Sequence, residues 1–73
     1  MKDNYTYLTV SSKDIDKIKK DLKLEVKEET NTYTKFINNL DSNEIIKRLS
    51  KYDIEKLLIE NISLEDLFSK YYK

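Results

Sequence analysis

In its 73 residues this chain has neither glycine nor proline. Every turn and helix end must therefore be made by residues that carry a Cβ and keep a backbone N–H, so polar side chains have to supply the local punctuation. The same absence removes whole classes of activity. Phosphate-cradling loops of the P-loop and dinucleotide types need glycines where backbone and anion approach closely, and none exist here. Histidine and cysteine are absent as well, which takes away two common catalytic side chains, disulfides and the usual ligands of structural zinc. The remaining Ser, Lys, Asp and Glu show no spacing that suggests a reactive centre. The expectation is a chain that is not an enzyme and that carries no cofactor and no metal.

Three segments meet the missing punctuation in the same way. Ser11-Ser12-Lys13-Asp14 precedes Ile15, Ile18 and Leu22, and Asp41-Ser42-Asn43-Glu44 precedes Ile45, Ile46, Leu49 and Tyr52. Ser63-Leu64-Glu65-Asp66 opens a third segment that carries Leu64, Leu67, Phe68, Tyr71 and Tyr72. In each, a residue that accepts from first-turn N–H groups is followed three positions later by an acid, the capping-box spacing. The apolar residues then recur at intervals of three and four, as on one face of a helix. Val10 with Ile15, Leu40 with Ile45 and Ile62 with Leu67 have the spacing of hydrophobic staples. Each cap contributes about 1 kcal/mol, a large share for a single domain of this size.

Between the helices the pattern changes to alternation. Asn4–Val10 is rich in aromatic and β-branched residues and reads as a strand, with Leu8 and Val10 on one face and Tyr5 and Tyr7 on the other. Leu24–Glu28 and Tyr33–Ile37 read as a hairpin whose turn, Glu29–Thr32, places Asn31 where a left-handed residue is needed. Ile54–Ile62 contains Leu57-Leu58-Ile59, apolar on both faces, which predicts a central strand. The fold expected is one α+β domain over residues 1–73: a ferredoxin-like β-α-β-β-α-β antiparallel sheet plus a C-terminal helix.

Charge excludes further partners. Lys plus Arg and Asp plus Glu are 14 each, for a formal net charge of zero, whereas phosphate-backbone binding needs a positive surplus. Lys17, Lys19, Lys20 and Lys23 are interleaved with Asp16 and Asp21, as on the wet face of a helix, and Arg48 is the only arginine. Tyr5, Tyr7 and Tyr33 could stack bases on an exposed sheet, but the basic, glycine-bearing signature of RNA-binding sheets is missing. No apolar run approaches the roughly 20 residues of a membrane span, and the N-terminus lacks the apolar core of a secretion signal. Nucleic acid and direct membrane insertion are therefore not expected, and a cytoplasmic location is.

Two helices cover one face of a four-stranded sheet, using Leu8, Val10, Leu24, Val26 and part of the fourth strand. The other face then presents Tyr5, Tyr7, an apolar residue of the third strand and Leu58, a patch of the kind that marks interaction sites. Either the third helix lies across it or it meets a second copy in a weak homodimer sensitive to Tyr7 and Leu58.

The C-terminal residues Ser63-Leu64-Glu65-Asp66-Leu67-Phe68-Ser69-Lys70-Tyr71-Tyr72, after Ile54-Glu55-Lys56-Leu57-Leu58-Ile59, resemble the end of the ATP-binding subunits of bacterial ABC exporters. There a strand leads into a Ser-Leu-Glu-Asp-hydrophobic-Phe helix ending in paired aromatics, and Leu49, Tyr52 and Ile54 resemble its lead-in. The family commonly has proline before the serine, where this chain has Ile62. Every ATPase motif is missing. The resemblance therefore implies an excised C-terminal accessory domain, with Met1 either native or an artificial start, which stabilises or regulates pairing of ATPase subunits and associates with the membrane only through the transporter. It implies the rest of the ATPase subunit as partner, with Leu64, Leu67, Phe68, Tyr71 and Tyr72 as packing anchors. The competing expectation is a free-standing ferredoxin-like module that senses a small ligand at a dimer interface or binds another protein.

Overall fold

The computed structural model describes residues 5–62. The expected third helix, with Leu64, Leu67, Phe68, Tyr71 and Tyr72, lies outside the described residues. Within them the elements run β1 (Thr6–Ser12), α1 (Ile15–Leu22), β2 (Glu25–Glu29), β3 (Thr34–Asn38), α2 (Ser42–Leu49) and β4 (Ile54–Asn61). The strands form one antiparallel sheet in the order β2-β3-β1-β4. The architecture is α+β, as the alternation of strand and helix patterns predicts.

The core follows from two periodicities. Alternation puts Leu8 and Val10 of β1 on the same face as Phe36 of β3, because Leu8 is paired with Phe36 and Val10 with Thr34. Helical spacing aims Ile18 and Leu22 of α1, with Ile45 and Leu49 of α2, at that face. These seven side chains form one cluster, none more than 5% exposed. Burial of each stabilises the domain by about 1.5–3 kcal/mol. Ile15, Leu24, Leu40, Tyr52, Ile54 and Ile59 pack around the rim.

Several local expectations are corrected. Ser11 does not cap α1. Ser11 and Ser12 are held extended by pairing with Lys56 and Ile54 of β4, across a bulge, so the strand outlasts the local helix signal. Ser12 Oγ instead accepts from the Asp14 N–H at 2.9 Å and donates to the Asp53 carbonyl at 2.6 Å, and α1 starts after Asp14. Val10 and Ile15 consequently do not have staple spacing about the helix start. At α2 the expectation holds better: Asp41 Oδ2 accepts from the Asn43 N–H at 3.1 Å, while Leu40 and Ile45 both join the core. Glu44 turns instead toward Arg48, whose Nε donates to it at 2.9 Å.

The turn between β2 and β3 is not made by a left-handed Asn31. The Thr30 hydroxyl accepts from the N–H groups of Thr32 and Tyr33, at 3.2 and 3.1 Å, so a side chain closes the turn without a positive φ. The one described residue in the left-handed region is Lys23, at φ 54 and ψ 36, where its N–H reaches Lys19 O and ends α1. Ile46 does not belong to the buried stripe: it is 55% exposed, because one residue's rotation from Ile45 carries it off the core face. Val26 is 38% exposed, since β2 is an edge strand.

The largest correction concerns β4. Among the described residues it is not a central strand but the edge next to β1, and the run that reads as apolar on both faces leaves Leu57 38% and Leu58 48% exposed.

Candidate interaction face

The register places Tyr7 and Leu58 on the sheet face opposite the two helices. Tyr7 lies between Ile37 of β3 and Glu60 of β4, and Thr9 lies between Lys35 and Leu58. Ile37 is thus the third strand's apolar contribution to this face, while Phe36 belongs to the core. Tyr5, Tyr7 and Ile37 are half-buried and Leu58 is exposed. Neither α1 nor α2 packs on this side.

The patch is not continuously apolar. Lys35 Nζ lies 5.1 Å from the Tyr7 ring centroid and Lys27 Nζ lies 6.0 Å from it, close enough for attraction by the negative face of the ring. Alternation from Val26, which pairs with core Phe36, puts Lys27 on this side, and the register shift after Val26 brings Glu28 opposite Lys35 as well. Two ammonium groups therefore lie over the tyrosine ring, so the centre of this face carries positive charge. On the same face the Thr9 Oγ1 is buried without a hydrogen-bond partner among the described residues. Tyr33, just before β3, has its phenol held above the ordinary tyrosine range, first by partial burial and then by the neighbouring Glu28 carboxylate.

Two other clusters are explained by structure. Asp21 accepts from the Tyr52 hydroxyl at 2.7 Å and pairs with Lys51 Nζ at 3.1 Å and Arg48 Nη1 at 3.7 Å. This network ties α1 to the end of α2. A shallow cleft of about 60 Å³, lined by Val10, Ser12, Ile15 and the Thr30–Thr34 turn, is small beside the roughly 300 Å³ at which small-molecule sites begin. Among the described residues no three acidic side chains converge as metal ligands do, and no helix is long and apolar enough to cross a membrane.

Of the residues singled out in the sequence, the structure brings Tyr7 and Leu58 to one face, on adjacent strands. Ile37 is the apolar residue of the third strand that the sequence led one to expect there, whereas Lys27, Lys35 and Glu60 were missed as their neighbours. Comparison of the chain with protein-family models, with curated proteins and with solved structures finds no match.

Proposed function

We propose that this chain is a non-catalytic protein-interaction module of the ferredoxin-like plan. In its most specific form the reading is that of a C-terminal accessory domain of the ATP-binding subunit of a bacterial ABC exporter of drug, peptide or lipid. There it packs against the rest of the ATPase subunit and stabilises or regulates subunit pairing on the cytoplasmic side. The observation that carries the interaction role is the sheet face opposite both helices, where Tyr7 is paired with Ile37 and Leu58 stands on the adjacent strand. Half-buried aromatic and aliphatic groups beside charged ones suit a protein partner, since interfaces combine apolar and polar groups. The strand order β2-β3-β1-β4, with both helices on one side, supports the ferredoxin-like plan. The exporter setting rests on the resemblance of Ile54–Ile59 and Ser63–Tyr72 alone.

The source DNA upstream of Met1 tests that setting. An in-frame coding region with a P-loop, a Walker B acid and an ABC signature is the expected result; an in-frame stop codon just upstream overturns it. The interaction role is tested by joining that upstream region to the Tyr7→Ser, Leu58→Ser double variant. Loss of subunit pairing in a domain that still folds is expected, and pairing equal to wild type removes the face from the role.

A further inference from the structure

We propose that the outer edge of β4 pairs with the same edge of a second copy, antiparallel about a twofold axis through Leu58, joining the two sheets. This concerns the edge of the sheet rather than its face and stands independently of the exporter reading.

The two edges of the sheet are treated differently. β2 is five residues long, interrupted by the bulge after Val26, and carries Glu25, Glu28 and Glu29. Short length, a bulge and repeated charge are the devices that keep an edge from pairing. β4 is eight residues long, and its bulge, opposite Ser11 and Ser12, leaves Lys56–Asn61 in unbroken register. Among the described residues no strand lies on its outer side. Leu57 and Leu58 stand exposed there, a composition suited to a paired strand.

The order of side chains selects the occupant. With Leu58 opposite Leu58 of the second copy, Leu57 faces Ile59 and Lys56 faces Glu60, on both sides of the axis. Opposed residues of an antiparallel pair share a sheet face, and opposite charges placed so are favourable. Lys56, Leu58 and Glu60 already share the face away from the helices, so two ion pairs flank a leucine pair. Neither Lys56 nor Glu60 has an ion-pair partner among the described residues. Moving the axis to Leu57 or Ile59 sets Leu58 against Lys56 or Glu60. A segment that complements itself in one register and conflicts in its neighbours points to a copy of itself, since a twofold interface must be self-complementary.

The test is sedimentation of the full chain from about 10 μM to about 1 mM, where a small interface dissociates. Wild type is expected to dimerise within that range. Lys56→Glu sets glutamates against each other at both ends and Glu60→Lys does the same with lysines, so each weakens self-association about tenfold. Mixing K56E with E60K restores both opposite-charge pairs and is expected to give a heterodimer at least as tight as the wild-type dimer. The exchanged double variant K56E/E60K associates like wild type, and Ile46→Ala, on the exposed side of α2, leaves association unchanged. A strict monomer throughout overturns the proposal, as does a dimer indifferent to the charge reversals. Association abolished by Tyr7→Ser but insensitive to the reversals overturns it too and moves the contact to the sheet face.

Discussion

The Tyr52 hydroxyl donates a 2.7 Å hydrogen bond to the Asp21 carboxylate, joining the segment after α2 to the last turn of α1. That bond, then Lys51 and more weakly Arg48, holds the Asp21 carboxyl below the ordinary carboxylate range. The same bond, with partial burial, holds the Tyr52 phenol above the ordinary tyrosine range. The pH dependence follows from linkage. A lowered acid contributes stability above its unfolded value, about 3.9, and loses it as pH falls through the lower folded value. A raised phenol contributes fully below its unfolded value, about 10, and loses it as pH rises through the higher folded value. Tyr52→Phe should therefore lie furthest below wild type between about pH 5 and 9, with the gap closing at both extremes. Urea melts across pH check this; parallel profiles for the two proteins would show that the bond does not form in solution.

Ile45 and Ile46 adjoin in sequence but differ in environment, fully buried against 55% exposed. Ile45→Ala should cost about 2–5 kcal/mol and Phe36→Ala about 3–5 kcal/mol, each enough to unfold much of so small a domain. Ile46→Ala should stay within about 0.5 kcal/mol of wild type. Denaturation midpoints measure all three, and equal losses at Ile45 and Ile46 would mean that α2 is rotated on the sheet.

Asn38 is a buried amide whose groups are all used. Its Nδ2 donates to Thr6 Oγ1 and to Leu40 O, and its Oδ1 accepts from the Leu40 N–H, each at 3.0 Å. Asn38→Ala leaves these partners unpaired in a partly buried place and should cost about 1–3 kcal/mol. Asn39→Ala, at the adjacent exposed position, is the control and should change stability by less than about 0.5 kcal/mol.

Lys23 ends α1 in a left-handed conformation that costs a residue bearing a Cβ about 1–2 kcal/mol. Lys23→Gly relieves that strain while freeing the unfolded chain, so a net gain of up to about 1 kcal/mol is expected. A thermal melt shows it as a higher midpoint; a lower one would show that the lysine stem makes a packing contact worth more than the strain.

What the chain determined alone was what depends on near neighbours. Alternation is local, so Leu8 and Val10 could be set against Tyr5 and Tyr7 before any neighbour strand was known. Helical spacing likewise marked Ile18, Leu22, Ile45 and Leu49, and the want of glycine foretold that polar side chains would close the ends, as Asp41 and Thr30 do. Tertiary structure decided everything that depends on which strand lies beside which. Ser11 carries a sound cap signal, but pairing with Lys56 holds it extended, because a ladder of strand hydrogen bonds outweighs one side-chain bond. Leu57-Leu58-Ile59 reads as a buried strand, yet the chain path leaves it at an edge, since apolar composition states that a strand prefers cover without stating what covers it. Lys27 and Lys35 meet over Tyr7 because the β1–β3 and β2–β3 pairings bring three separate segments together.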